Sequence, residues 1–253
     1  MNIVININKK IYFLSDFHLG IPNHEESLKR EKKIVAFLNQ AQQDAQCFFI
    51  LGDMFDFWFE YKHVVPKGYV RLLGKLAEIT DNGIPIYFFV GNHDMWMKDY
   101  FQKELGVTVF FEPQTFTIQN KSFYIGHGDG LGPGDKKYKM LKKIFRNPCC
   151  KWLFGSLHPR WAIGLANYCS RKSRAATGSA NARFLGVQNE WLIQHCKNVL
   201  QQTHYDFFIF GHRHLPIDFV LNDKSNYINL GDWMQYFSYA VFDGSDVALA
   251  YYI

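Results

Sequence analysis

The 253-residue chain reads as an α/β protein: two packed sheets flanked by helices, with a basic helical insertion between them in the chain. Three observations predict this. Through the first half, apolar β-branched or aromatic runs alternate with helical patterns, as in parallel strands joined by crossover helices. Close-set strand signals follow, as in hairpins, and further strand signals return after position 205. Between these two groups, from about Gly130 to Ala180, strand signals stop and apolar residues recur at helical spacing.

The elements follow in order. A strand is expected over Ile11–Leu14, then a helix from about Glu26 to Ala45. A strand at Phe48–Leu51 precedes a helix near Lys67–Thr80, closed by Asn82-Gly83. A strand at Pro85–Val90 leads to a short helix around Met95–Leu105. Val107–Phe111, Thr115–Ile118 and Phe123–Ile125 read as close-set strands. In the insertion, Lys136–Phe145 sets Tyr138, Leu141, Ile144 and Phe145 on one side of a helix amid lysines. Leu153, Leu157, Trp161, Leu165 and Tyr168 continue at helical spacing. A helix from about Ala182 to Gln202 returns to the body, and Phe207–Phe210, Tyr227–Leu230, Tyr239–Phe242 and Val247–Tyr252 read as strands.

Composition sets outer limits. With 48% hydrophobic and 17% aromatic residues the chain can build a substantial core, which argues against disorder. No apolar run approaches the roughly 18–20 residues that span a bilayer. Met1–Lys10 lacks a charged, apolar and cleavage-site pattern, so no signal peptide is expected. Five cysteines without framework spacing point to reduced thiols and a cytoplasmic protein. The adjacent Cys149-Cys150 is read as buried within a helical pair. The charge is uneven: Leu131 to Leu185 holds twelve Lys or Arg and one acid, Asp135, against a net +5 for the whole chain. A basic block set into an acidic body implies an anionic partner.

Five polar clusters sit where strands end: Asp16-Phe17-His18, Gly52-Asp53-Met54-Phe55-Asp56, Gly91-Asn92-His93-Asp94, Gly126-His127-Gly128-Asp129 and Gly211-His212-Arg213-His214. One Gly-Asp or Gly-His after a strand is ordinarily a turn. Five in succession can converge in space, and their mixture of carboxylate, amide oxygen and imidazole is what hard and borderline divalent ions select. Residues two apart in extended chain share a face, so Asp16 with His18, and His212 with His214, should each point together. Asp16, His18, Asp53, Asn92, His127, His212 and His214 suffice as ligands for two ions, with one carboxylate able to bridge them.

On these residues the chain resembles the calcineurin-like metallophosphoesterase superfamily, whose pattern is D-x-H, G-D-x-x-D, G-N-H-[DE], G-H and G-H-x-H. The resemblance implies a four-layer αββα sandwich with a helical lid insertion: residues 1–130 and 181–253 as core, 131–180 as lid. It implies one metal held by Asp16, His18, Asp53 and His214, and a second by Asp53, Asn92, His127 and His212. The ions implied are Mn²⁺, with Fe or Zn²⁺ as alternatives. His93 stands beside the phosphate in that family, with Asp94 orienting it, and Asp56 serves as a support. Such ions neutralise a phosphoryl group and acidify the water that attacks phosphorus in line.

The insertion narrows the substrate. Lysines and arginines suit a phosphate, and Leu153, Phe154, Leu157, Trp161 and Leu165 suit acyl chains or a bilayer surface, or simply pack the insertion on the body. The chain is similar to the UDP-2,3-diacylglucosamine pyrophosphohydrolases of lipid A synthesis, which carry an insertion at this place and a segment like Leu230-Gly231-Asp232-Trp233. That resemblance implies hydrolysis of the acylated UDP-sugar to UMP and 2,3-diacylglucosamine 1-phosphate, at the cytoplasmic face of the inner membrane with peripheral contact. Asp135 and Tyr138 match an Asp-x-x-Tyr that family members place at the substrate. The chain has His93 where the best-known branch has arginine. The alternative is another dinuclear phosphodiesterase or phosphatase acting on nucleotides, nucleic acid or phosphoprotein; the apolar insertion argues against nucleic acid.

Overall fold

The computed structural model describes residues 1–134, 136–181 and 183–253, with side chains at all of these but 136, 137, 167, 171 and 173–181. The chain runs β1 (Asn2–Ile3), β2 (Lys10–Leu14), α1 (His24–Ala41), β3 (Ala45–Leu51), α2 (Val70–Asp81), β4 (Ile86–Phe89), α3 (Tyr100–Leu105), β5 (Thr108–Phe110), β6 (Gln114–Ile118) and β7 (Lys121–Gly126). Three helices follow: α4 (Lys136–Arg146), α5 (Pro148–Gly155) and α6 (Pro159–Asn181). The chain closes with α7 (Trp191–Leu200), β8 (Phe207–Phe210), β9 (Pro216–Asn222), β10 (Ser225–Leu230), β11 (Ser238–Phe242) and β12 (Val247–Tyr251).

Side-chain alternation decides the layering. In β2 and β3, Ile11, Phe13, Cys47, Phe49 and Leu51 face one way and meet Phe116, Ile118, Phe123, Ile125, Phe207, Ile209, Ile228 and Leu230 of the other sheet. Their alternates, Tyr12, Leu14, Phe48 and Ile50, face Ile34, Phe37 and Leu38 of α1 and Leu72 and Leu76 of α2. On the far side, Phe208, Phe210 and Tyr227 pack against Leu192, Ile193 and Cys196 of α7. Strands buried on both faces read as continuous apolar runs for this reason. The result is the expected four layers: helices, sheet, sheet, helix.

One sheet has the order β12-β11-β2-β3-β4-β5 and the other β1-β6-β7-β8-β10-β9. In the first, β2, β3, β4 and β5 run parallel. In the second, β7, β8 and β10 do. The carboxyl ends of the parallel strands of both sheets therefore gather the loops that follow β2, β3, β4, β7, β8 and β10, which is where ligand sites form in such sheets.

The three helices between β7 and α7 make up the segment expected as a lid, and an aromatic ledge seats them. Phe57, Phe59 and Trp96 of the core meet Phe145 and Phe154 of the lid, with ring centroids 4.5 Å apart for Trp96 and Phe154. Trp96 Nε1 donates to the Phe145 carbonyl at 2.7 Å. Gly155 lies against Phe59, where an added Cβ would come to 3.3 Å of the ring.

Several expectations are corrected. The helix expected from Ala182 begins only at Trp191. Gly186 adopts φ 84°, a left-handed conformation that a helix cannot continue through, and Glu190 Oε1 accepts from the Leu185 N–H at 2.9 Å. Ala182 itself lies outside the described residues. The short helix near Met95 starts at Tyr100, because Glu60 Oε2 takes the N–H groups of Asp99 and Tyr100. Strand β9 was not expected. It is an edge strand opening on Pro216, with exposed polar residues diluting its apolar signal. Cys149 and Cys150 do lie on a helix, but Cys149 is exposed and Cys150 half-buried, so the burial expected of them is wrong.

Candidate metal centre

The loops after β2 and β3 run side by side. The N–H groups of Asp16, His18 and Leu19 donate to the carbonyls of Gly52, Asp53 and Met54 at 3.1, 2.9 and 3.1 Å. This holds Asp16 and His18 beside Asp53. The loop after β8 joins them: the Gly211 N–H donates to the His127 carbonyl and the His212 N–H to Asp16 Oδ2, at 3.0 and 2.9 Å. Arg30, from α1, donates to the carbonyls of Phe17, His18 and Ile21, clamping the loop that carries His18.

The expected convergence is found, by a different route from the one expected. Asp16, His18, Asp53, His212 and His214 all have positive φ, between 43° and 66°. Each pair of residues two apart therefore converges through left-handed bends and not through extended alternation. Phe17, between the first pair, turns away to pack edge-on against Trp233 in the core.

The side chains form two groups that share Asp53. Asp16, His18, Asp53 and His214 bring one ligand atom each within 4.8 Å of one another, as do Asp53, His127 and His212. His18 Nε2 lies 3.5 Å from both Asp16 Oδ1 and Asp53 Oδ2. His214 Nε2 lies 3.3 Å from Asp16 Oδ1, and His127 Nε2 lies 3.4 Å from Asp53 Oδ2. Asn92 Oδ1 is 3.1 Å from His127 Nε2, which places it with the second group. All seven residues named from the sequence are thus brought together.

The donor set fits two divalent ions. Asp16 Oδ1 is buried without a hydrogen-bond donor, facing imidazole nitrogens. A buried carboxylate oxygen left in this state is costly unless a cation meets it. His127 Nδ1 lies 2.6 Å from the Leu51 carbonyl. A carbonyl can only accept, so Nδ1 carries a proton, and Nε2, which faces Asp53 and Asn92, is the nitrogen available to a metal ion.

Electrostatics point the same way. Burial opposes the Asp53 charge, yet the imidazoles of His127 and His93 hold its carboxyl well below the usual carboxylate range. Burial works against a charged His127, but the Asp53 carboxylate outweighs it and pushes the imidazole up to about 10. Burial and the neighbouring His127 push His212 down to about 3. The carboxylates thus draw protons onto a nearby imidazole, a counter-charge that a divalent ion replaces on binding.

Around these groups the supports are specific. His93 Nδ1 donates to the Asp56 carbonyl at 2.8 Å and lies 3.6 Å from Asp56 Oδ1. Asp56, and not Asp94, therefore orients the His93 ring. Asp94 is buried and accepts the N–H groups of Gly91 and Met54, at 2.7 and 2.8 Å, locking the third loop to the second. Burial, with the Asp53 charge adding, pushes the Asp94 carboxyl up to about 7.

The sequence reading did not assign two further residues. Asp232 faces His214 Nδ1 at 3.4 Å with Oδ2, while its Oδ1 accepts the N–H groups of Met234, Gln235 and Tyr236. Its signal was available: Gly231-Asp232 follows β10 as the other clusters follow their strands. Asp129 ties the lid down, accepting from the Tyr138 hydroxyl at 2.6 Å and pairing with Lys142 at 2.5 Å. Tyr138 was expected at the substrate; the structure places its ring 6.3 Å from that of His212 and its hydroxyl on Asp129. Asp135, expected beside it, lies outside the described residues.

The family model described as calcineurin-like phosphoesterase matches residues 9–216. The "UDP-2,3-diacylglucosamine hydrolase" of Porphyromonas gingivalis is 41% identical over 255 residues, covering 96% of this chain and 97% of that protein. A protein of the same name from Shewanella sp. is 27% identical, covering 88% of each chain. Among solved structures, the E. coli phosphoesterase Yfce aligns with a TM-score of 0.47 at 17% identity, over 96% of this chain and 92% of that one. With the family model matched over most of its length, this chain belongs to the calcineurin-like phosphoesterases and is a hydrolase of that metal-using family.

Proposed function

We propose that the chain hydrolyses the pyrophosphate of UDP-2,3-diacylglucosamine in lipid A biosynthesis, releasing UMP and 2,3-diacylglucosamine 1-phosphate. The observation that carries the reading is a pair of Asp/His groups sharing Asp53, roofed by a lid whose outer face is apolar. The name of the Porphyromonas relative, aligned over nearly its whole length, supports the substrate.

In this reading Asp16, His18, Asp53 and His214 hold one ion, and Asp53, Asn92, His127 and His212 the other. Bound there, the ions supply charge neutralisation and acidify the attacking water. Mn²⁺ suits a set of carboxylates, imidazoles and one amide oxygen. His93 is 18% exposed in its side chain where His18 is 0%, so it sits on the open side of the centre. With Nδ1 committed to Asp56, its Nε2 is the nitrogen left to meet the phosphoryl group and its leaving oxygen.

In this reading the segment 131–180 serves as the lid over the acylated sugar, with Asp135 and Tyr138 as its substrate contacts. Trp152 and Trp161 are each 71% exposed, and Leu153, Leu157, Leu165 and Tyr168 lie open with them. An exposed aromatic and aliphatic face of this size marks a membrane or acyl contact. No described helix is long and apolar enough to cross a membrane; in this reading the contact is peripheral, at the inner membrane.

The test is UMP release from UDP-2,3-diacylglucosamine by metal-stripped protein reloaded with Mn²⁺. Turnover of the diacyl substrate, with the deacylated UDP-sugar slower by at least about tenfold, is expected; equal turnover of the two, or none, sinks the substrate assignment. Sedimentation with anionic vesicles checks the second part: Trp152→Glu with Trp161→Glu should release the protein from vesicles without slowing a soluble phosphodiester.

A further inference from the structure

Ser170 stands in the middle of α6. A hydroxyl at such a place ordinarily bonds back to a carbonyl of the preceding turn or faces water. Ser170 Oγ instead leaves the helix and donates to Asp56 Oδ2 at 2.8 Å, a contact spanning 114 residues of sequence. Asp56 is buried and touches His93 twice: its carbonyl accepts from Nδ1 at 2.8 Å, and Oδ1 lies 3.6 Å from the same nitrogen. Oδ1 also lies 3.8 Å from His18 Nδ1. The Asp56 N–H is fixed in turn on the Leu19 carbonyl at 2.9 Å. A helix of the lid thus reaches the residue that orients His93.

We propose that Ser170 is a positioning residue. Its hydroxyl fixes the Asp56 carboxylate, and through Asp56 the His93 imidazole, so that His93 is aligned when α6 lies on the core. The lid then does more than cover a substrate; its seating completes the alignment of the group beside the phosphoryl. This rests on the role given to His93 above and is independent of the acylated sugar as substrate.

The experiment uses the full-length Mn²⁺-loaded protein and a small soluble phosphodiester, bis(p-nitrophenyl) phosphate. The variants are Ser170→Ala, Ser170→Thr, Asp56→Asn, the double Ser170→Ala/Asp56→Asn, and His93→Ala as reference. Alanine is the better helix former, so α6 keeps its structure in Ser170→Ala. Ser170→Ala should lower kcat by about tenfold with KM within about twofold, a misalignment effect and not a binding one. Ser170→Thr, which keeps the hydroxyl, should recover most of the loss. The double variant should be no slower than Asp56→Asn, because Ser170 acts through Asp56. With His93→Ala inactive, a wild-type kcat in Ser170→Ala overturns the proposal. So does a loss confined to KM, a Ser170→Thr as slow as alanine, or losses that multiply in the double variant. A fully active His93→Ala overturns the role of His93 first, and the proposal with it.

Discussion

Gly91 is the position where the smallest side-chain change should do the most damage to the site. A Cβ placed there would come to 2.3 Å from Asp53 Oδ1, 2.5 Å from the Asp53 backbone nitrogen and 2.9 Å from its Cγ. Ordinary contact begins near 3.4 Å, so Gly91→Ala forces a separation of roughly 1 Å, against a ligand tolerance of about 0.2 Å. Rotation of the side chain cannot provide it, since the backbone nitrogen is also in the way and Oδ1 holds the His93 N–H at 2.8 Å. Asp53 is common to both ligand groups, so both should weaken together. Overpacking of this kind costs about 1–3 kcal/mol, which for a chain of this size lowers Tm by roughly 2–12 °C and leaves it folded. Turnover should fall by about a hundredfold or more. Gly74 is the control: it lies in α2 with no left-handed φ and nothing within 4 Å of an added Cβ. Gly74→Ala should raise stability by about 0.4–1 kcal/mol and leave activity alone. Melting curves, metal content after dialysis and initial rates on both variants decide the matter. Gly91→Ala that retains wild-type metal and rate would refute the reasoning that this glycine exists to admit Asp53.

Other expectations follow from the supports of the site. Asp232→Asn keeps Oδ1 for the turn at 234–236 but removes the charge facing His214; titration calorimetry should show divalent-ion affinity weaker by about 10–100-fold, and unchanged affinity would count against that role. Tyr138→Phe removes the hydroxyl bonded to Asp129. A hydrogen bond to a charged group contributes about 1.5–3 kcal/mol, so exchange of the amides of α4 should quicken by about tenfold or more; no change would leave the lid held by other contacts. Asp206 joins β7 to β8 by accepting both the N–H and the Oγ–H of Ser122 at 2.7 Å. Burial opposes its charge, but those donors and Lys121 hold the carboxyl below its ordinary value. Its stabilisation is therefore present above about pH 4 and lost as pH falls through the lower folded value. Asp206→Asn should cost stability in urea melts at neutral pH and progressively less in acid; an equal cost at both would be contrary.

The strands and the residues that converge at the candidate centre were legible because each leaves a local trace. Ile11–Leu14, Phe48–Leu51 and Phe207–Phe210 are buried on both faces and are apolar throughout, and each ends in residues whose chemistry differs sharply from the run before. What escaped was decided at a distance. The start of α3 is set by Glu60, some forty positions earlier. The orientation of His93 falls to Asp56, and Asp94, its chain neighbour, is spent on the backbone of Gly91 and Met54. The Tyr138 hydroxyl meets Asp129, whose carboxylate had no assigned part. Spacing along one chain reports which residues are near in sequence; it carries no record of which carboxylate a loop will turn inward.

The backbone at the ligand positions explains why the residue types and the strand ends belong together. Five of the seven candidate ligand residues sit in the left-handed region. For most L-residues that conformation costs about 1–2 kcal/mol. Aspartate and histidine are among the few non-glycine residues enriched there, and all five are Asp or His. The conformation is useful because it turns consecutive carbonyl and N–H groups sharply at the strand end, freeing the N–H of His212 to hold the outer oxygen of Asp16, while the His93 N–H, from a loop without such a bend, holds that of Asp53. Each carboxylate then keeps one oxygen on the backbone and turns the other, Asp16 Oδ1 or Asp53 Oδ2, toward the imidazoles. The glycines complete the arrangement: at Gly91 and Gly211 an added Cβ would fall within 2.5 Å of those same carboxylates. A bent residue at the centre therefore needs a neighbouring loop without a side chain, and the parallel strands of two adjacent sheets supply several such loops at one edge. Strain of this kind persists where the surrounding structure over-determines it. The buried β-core does so at this edge, which is why the centre lies at the seam of the two sheets.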